Sequence, residues 1–210
     1  MVIDPGHGGA DAGARGAGGI LEKDVAWTLA LQLRAALERQ GLRGVLTRDA
    51  GANPSFDERA AVANAQRGAV YVALHASSVG QPGTARAYYQ VVAPLAFRSL
   101  GGEREGPGSS LVRWEEAQQP HISASKRLAE MIQSRLRERL ADSPAGPAAA
   151  PLRDLRSVAG PAVAVEVASV SVADKKLLDQ MAPAVADAIA RAVAAFRAAE
   201  AATAWPAEAR

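Results

Sequence analysis

Four ionisable side chains stand where a hydrolytic site could be assembled from them. His7 lies in PGHGG just after an apolar start, and Glu22 in LEKD stands at the mouth of a helical pattern. His75 follows the apolar run VYVAL directly, and Glu166 lies inside the last apolar run, AVAVEVASV. Two neutral imidazoles and a carboxylate make a His₂Glu set, the ligand class of catalytic zinc in metallopeptidases, with a fourth position left for water. Glu166 differs in setting. Val163, Val165 and Val167 line one face of its strand, while Ala164 and Ala168 share its own. A carboxylate desolvated there without a partner would cost several kcal/mol, so it must be paired, near a metal, or protonated. Perturbed carboxylates of that kind concentrate at active sites.

Plainer roles exist for each residue. His7 could be a turn or surface residue beside its glycines, and His75 a satisfied histidine at the core edge. Glu22 could favour a helix N-terminus, an effect of ~0.3–1 kcal/mol. Glu166 could form a salt bridge with Arg153 or Arg156, and Asp4 could orient His7 or simply form the Asp-Pro-Gly turn. His121 lacks any such setting and starts a surface helix. The glycine loop from Gly6 to Gly19 has neither a Gly-Lys-Ser/Thr ending nor a GxGxxG run opening directly onto a helix, which argues against nucleotide binding. Ser77, Ser78 and Ser109 have no nucleophile-elbow context. Cysteine is absent, which excludes a disulfide framework, a thiolate metal site and a thiol nucleophile.

These residues need a scaffold that gathers distant segments at one edge. In an open α/β sheet, ligands collect beyond the carboxyl ends of the strands, which is where three of the four fall. Short β-branched runs alternate with helical ones: Val2-Ile3, Gly44–Thr47, Val70–Leu74, Ala87–Val92, Leu152–Val158 and Pro161–Val170 read as strands. Helical stripes carry Val25, Leu29, Leu33 and Leu37, then Phe56 to Gln66, then Leu128, Met131, Ile132, Leu136 and Leu140, and finally Leu178, Met181, Val185, Ile189, Val193 and Phe196. DSPAGPAAAP reads as a connector, 93–120 as a surface insertion near the cleft, and 201–210 as a frayed tail. The expected fold is a single-domain three-layer α/β sandwich over residues 1–200, with a mostly parallel twisted sheet and helices on both faces. Its 210 residues, 49% hydrophobic and 22% charged, suffice for one full core. Aromatics are only 4%, so Ala, Leu and Val must fill that core. A net charge of +2 gives no electrostatic case for nucleic acid, and no apolar run approaches the ~20 residues of a membrane span. The opening MVIDPGHGG carries no export-signal pattern, and nothing marks an oligomer interface, so a monomer is expected.

Taken in order, IDPGHGGADAGARGAGGILEKD, VLTRD, ERAAVANAQ, YVALHASS and PAVAVEVASVSVADKKLL resemble the zinc-dependent N-acetylmuramoyl-L-alanine amidases of the Amidase_3 type, which cleave bacterial peptidoglycan. The resemblance runs from residue 2 to about 195. It implies Zn²⁺ on His7, Glu22 and His75, a catalytic Glu166, and hydrolysis of the amide between N-acetylmuramic acid and the L-alanine of the stem peptide. It also implies a peptidoglycan or muropeptide substrate and a place in the bacterial periplasm or cell envelope. Where such proteins often have VEVGFLSN this chain has VEVASVSV, with Ala168 and Val172 in place of Gly and Asn. GGEREGPGSS is a poor helix former, so the long inhibitory helix some relatives carry there is not expected. Trp114 is expected to anchor its loop as an aromatic, with a packing or sugar-facing place on a cleft wall as the other reading. Two other readings share the residues: a catalytically silent peptidoglycan-binding or regulatory module, and a different zinc hydrolase, a peptidase or deacetylase, on the same scaffold.

Overall fold

A computed structural model of the chain describes residues 1–91, 113–171 and 175–203. Strands β1 (Val2–Pro5), β2 (Val45–Leu46), β3 (Tyr71–Ser77), β4 (Thr84–Gln90), β5 (Ala148–Ala150) and β6 (Ala162–Ala168) form one sheet in the order β2-β1-β3-β6-β4-β5. The four strands β2, β1, β3 and β6 are parallel; β4 runs antiparallel to β6, and β5 follows β4. The expected α/β class with a mostly parallel sheet is therefore the one adopted, with one reversed edge.

Strand alternation divides the interior in two. Ile3, Val72, Leu74, Val163, Val165 and Val167 point to one face and pack against α1 (Glu22–Arg39), α3 (Ile122–Arg139) and α5 (Lys175–Thr203). Val2, Tyr71, Ala73, Ala162 and Ala164 point to the other, against α2 (Phe56–Ala65) and α4 (Arg153–Arg156). The stripe Leu178, Met181, Val185, Ile189, Val193 and Phe196 of α5 is buried throughout. Helix α2 starts on a capping box, the Glu58 N–H donating to the Ser55 hydroxyl and the Ser55 N–H to the Glu58 carboxylate. Beyond the short β5, the free side of β4 is satisfied by side chains: Ala85 N–H donates to Ser143 Oγ (3.0 Å) and Ala87 N–H to Gln133 Oε1 (2.7 Å).

Three expectations need correction. The stretch Leu152–Val158 is not a strand but contains the helical turn α4; Leu152, Leu155 and Val158, three apart, all reach the second core, a helical spacing rather than a strand one. The connector DSPAGPAAAP contributes β5, three alanines whose pairing comes from β4 rather than from their own weak strand propensity. The strand expected at Ala87–Val92 begins earlier, at Thr84, and ends at Gln90. Of the insertion expected at 93–120, residues 93–112 lie outside the described residues, and two 3₁₀ turns, Trp114–Glu116 and Gln119–His121, lead into α3. Helix α5 continues to Thr203, and residues 204–210 lie outside the described residues.

The core division predicts how stability responds to truncation. Ile189→Ala, at a fully buried position of α5, is expected to cost ~2–5 kcal/mol in urea unfolding. Leu31→Ala, on the exposed side of α1, should stay within about 0.5 kcal/mol of the unmodified chain.

Candidate metal centre

Strand parity brings His75 and Glu166 together. They are direct neighbours across the β3–β6 ladder, on the face shared with Tyr71, Ala73, Ala162 and Ala164 but at the carboxyl ends of the strands. His7 comes from the loop after β1, with φ +58°, the one non-glycine positive φ among the described residues. Close approach explains the glycine in front of it: a Cβ on Gly6 would lie 2.7 Å from His75 Nδ1. Gly13 is similarly constrained, because a Cβ there would meet Glu22 Oε2 and His7 Cδ2, each at 2.6 Å.

The loop is held by its carbonyls. Arg59 of α2 donates to Pro5 O (2.9 Å) and His7 O (2.8 Å), and Arg48, just past β2, donates to Pro5 O (2.8 Å) and Gly6 O (3.2 Å). Asp4 does not orient His7, nor is it a turn residue. It is a buried strand residue whose carboxylate accepts from Arg59 (2.8 Å), Tyr71 OH (2.7 Å) and the Thr47 hydroxyl. Its side chain lies on the α2 face of β1, where it anchors the arginine that grips the loop.

Glu22, at the first position of α1, joins the two imidazoles. Its Oε2 lies 3.1 Å from His7 Nε2 and its Oε1 lies 2.9 Å from His75 Nδ1. The N–H groups of Ala14 (2.8 Å) and Ala76 (3.1 Å) also donate to this carboxylate. The rings meet edge to face with centroids 5.4 Å apart. On the far side of each ring stands another carboxylate: Asp11 Oδ2 at 2.9 Å from His7 Nδ1, and Asp154 Oδ2 at 2.7 Å from His75 Nε2. Neither aspartate was singled out in the sequence. Asp11 sits in a glycine turn, where its second oxygen accepts from Gly13 N–H. Asp154 sits in the turn read as strand, and the three-residue apolar spacing around it was the usable signal.

The charges are strongly coupled. Burial pushes the Glu22 carboxyl up, but the two imidazoles and the Ala14 N–H outweigh this and hold it well below the usual carboxylate range. Burial likewise disfavours a charged His75, yet Asp154 and Glu22 overcome it and raise its pKa to about 10. The bond to Glu22 raises His7 as well, against burial and with help from Asp11. Asp154 is lowered because His75 outweighs its desolvation.

Donor atoms of His7, Glu22 and His75 all lie within 4.8 Å of one another. Donors around tetrahedral zinc, at ~2.0–2.1 Å from the ion, stand roughly 3.3 Å apart, so small shifts suffice to close this set. A metal-binding histidine nearly always gives its other ring nitrogen to a carboxylate, carbonyl or water, and here both do. The residues fit a divalent ion. Glu166 lines the adjacent cavity of about 330 Å³ with Glu22, His75, Ser77, Ser78, Tyr88 and Asp154. Neither Arg153 nor Arg156 pairs with it: among the described residues no ion pair involves Glu166, and the Arg153 guanidinium stacks on Phe56 at 4.9 Å. Its opposite neighbour is Arg86 on β4, whose Nε is buried without an acceptor, and Tyr88 beside it is raised by burial and by the Glu166 charge. Past Glu166, Ser169 and Ser171 both donate to the Ser78 carbonyl, tying the altered VEVASVSV loop to β3. Val172 lies outside the described residues.

Other candidates fall away from this cluster. His121 precedes α3 without a capping hydrogen bond from its side chain, and burial lowers its pKa. Trp114 does not line the cavity; its indole N–H donates to Asp57 (3.0 Å) at the start of α2, and it stays 46% exposed. A larger cavity, about 420 Å³, opens near Met1, Arg43, Arg67 and Arg197 at the amino ends of the strands and contains none of the candidate residues.

An open α/β sheet with a three-donor cluster beyond its carboxyl edge defines a protein class suited to a divalent metal. Within that class the chain belongs to the N-acetylmuramoyl-L-alanine amidase family Amidase_3, whose profile matches residues 1–195. The N-acetylmuramoyl-L-alanine amidase AmiC of Neisseria meningitidis serogroup B is 35% identical over 82 residues, 39% of this chain and 20% of that protein. AmiA of Escherichia coli K12, of the same name, is 33% identical over 87 residues, 41% of this chain and 30% of that protein. The match thus spans a third or less of these curated relatives. Among solved structures, N-acetylmuramoyl-L-alanine amidase AmiC2 of Nostoc punctiforme superposes with TM-score 0.70 and 26% identity over 94% of this chain and 96% of that one. Ami1 of Mycobacterium smegmatis, at 24% identity and TM-score 0.70, shares the fold.

The ion pairs make the metal-free protein pH-sensitive. A raised His75 contributes stability in full below its ordinary 6.5, and this is lost as pH climbs towards about 10. The depressed Glu22 contributes above its ordinary 4.5 and loses this on acidification. Both contributions are whole between those two values. Urea midpoints of chelator-treated protein should therefore fall between about pH 7 and pH 10; a flat profile there would show that His75 is not held as a cation.

Proposed function

We propose that this chain is a zinc-dependent peptidoglycan amidase that hydrolyses the amide between N-acetylmuramic acid and the L-alanine of the stem peptide. The observation that carries this is the meeting of His7, Glu22 and His75, each imidazole backed by a second carboxylate, beside Glu166 in a chain of this family. His7, Glu22 and His75 are the zinc ligands and Glu166 the catalytic residue. Residues 1–200 form the catalytic domain, acting on peptidoglycan or muropeptides in the cell envelope. Among the described residues no helix is long and apolar enough to cross a membrane.

When bound, the zinc ion acidifies water and polarises the substrate carbonyl. The chain's residues do the rest. His7, Glu22 and His75 would hold the ion, and Glu166, beside His75 on the neighbouring strand, takes a proton from the attacking water. It then delivers that proton to the alanine nitrogen as the C–N bond breaks, leaving a carboxylate on the lactyl group and a free amine on the peptide. Retention of all three donors and of Glu166 weighs against a silent binding module. The absence of an HExxH helix weighs against the best-known zinc peptidases.

Two variants and one assay test this reading. Glu166→Gln should keep one zinc per chain while release of stem peptides from peptidoglycan, followed by mass spectrometry, drops by several orders of magnitude; substantial residual release removes Glu166 from the chemistry. His75→Ala should lose zinc, and an unchanged zinc stoichiometry removes His75 from the ligand set. Deacetylated glycan instead of free stem peptides would establish the other hydrolase.

A further inference from the structure

The turn that carries Asp154 is held with unusual care for four residues. Before it, the Leu152 N–H donates to Gln90 Oε1 at 2.7 Å, and that glutamine is buried at the end of β4. After it, Asn64 of α2 clasps the chain from both directions, donating to Ser157 O (3.0 Å) and accepting from Ala159 N–H (2.7 Å). Gln118, 2% exposed, donates to both Val158 O (2.7 Å) and Gly160 O (2.8 Å). Between these clamps Leu155 is fully buried and pins the turn to the second core. Three side-chain amides from three separate segments therefore fix one short turn. Apolar packing alone would not require so many directed bonds, since each amide must be desolvated to make them. What the turn presents to the site is one carboxylate, Asp154, 2.7 Å from His75 Nε2 and 79 residues away in sequence.

The consequence follows from imidazole chemistry. In a neutral ring one nitrogen bears the proton and the other the lone pair, and the partner of the first decides the identity of the second. A carboxylate has no proton to give, so it demands Nε2–H and turns the Nδ1 lone pair toward Glu22 and His7. We propose that Asp154 is a positioning residue of the centre, holding the His75 ring in the rotamer and tautomer that present Nδ1 to the metal. It acts through the His75 ring, 2.7 Å away, rather than as a ligand. The inference rests on the zinc reading above and assigns a role to a residue outside the ligand set and outside the proton transfer.

The test compares Asp154→Ala and Asp154→Asn with the unmodified 210-residue chain, using zinc as the probe and a competing chelator to measure Kd. Loss of such an outer carboxylate typically weakens a metal site about 10- to 100-fold. The alanine variant should lie near the upper end and the isosteric asparagine, which can still accept from Nε2–H, near the lower. Zinc-loaded unmodified protein should also show a slowly exchanging Nε2 proton of His75 in ¹H–¹⁵N spectra, and the alanine variant should not. Should the alanine variant fail to fold, the asparagine variant decides the question by the same two readouts. Variants that bind zinc as tightly as the unmodified chain and keep that proton, whatever their melting temperatures, overturn the proposal and leave the zinc reading standing. An unmodified chain that binds no zinc overturns both.

Discussion

A single buried carboxylate sets the terms for the rest of the site. Glu22 is 6% exposed, and a charge that deep is tolerated only when its oxygens are fully partnered. Its two oxygens take contacts from both imidazoles and from the Ala14 and Ala76 N–H groups. Those partners belong to the glycine loop and to β3, so the carboxylate ties the start of α1 to both segments. Removal of either ring would strand part of the charge. The geometry of the cluster is thus enforced by the desolvation of Glu22, and the glycines at 6 and 13 are the room it needs.

Below the cluster, a second polar layer supports what the sheet cannot. The loop after β1 has few side chains to bury, so it is fixed through its carbonyls by Arg48 and Arg59, and Arg59 is in turn fixed by Asp4. This explains why a two-residue strand such as β2 is kept: it delivers Thr47 to Asp4 and Arg48 to the loop. Helix α2 has two tasks of the same kind. Arg59 holds the loop with His7, and Asn64, on the same short helix, holds the turn with Asp154. The stretches VLTRD and ERAAVANAQ thus hold the loop that carries His7 and the chain next to the turn that carries Asp154.

Much of this was legible beforehand, for physical reasons. Long periodic helices such as α5 announce their buried face, and a histidine placed immediately after an apolar run must emerge at a strand end. Glu166 stood out because strand alternation leaves its carboxylate in an apolar setting. Side-chain direction at short elements was not legible. Asp-Pro-Gly at Asp4 fits a turn as well as a contact with His7, yet pairing with β3 keeps Asp4 in the strand, facing Arg59 and Tyr71. Asp154 is harder to find because its helical turn is only four residues long, and the one local sign of it is the three-residue spacing of Leu152, Leu155 and Val158. The alanines of β5 carry almost no local preference at all.

Charge balance ties the two imidazoles to the carboxylates around them. Glu22 touches both imidazoles, Asp11 touches His7 and Asp154 touches His75, and the surrounding arginines are committed elsewhere: Arg48 and Arg59 to the loop carbonyls, Arg153 to Phe56. The carboxylates therefore call for positive charge from the rings themselves, which is why His7 and His75 are both raised. A divalent ion held by the same two rings and Glu22 would bring positive charge to the same place, and a mixed nitrogen and oxygen donor set of this kind would suit zinc. A metal bound here would compete with protons for the same nitrogens, so the salt-bridged cluster already holds the donors a divalent ion would need.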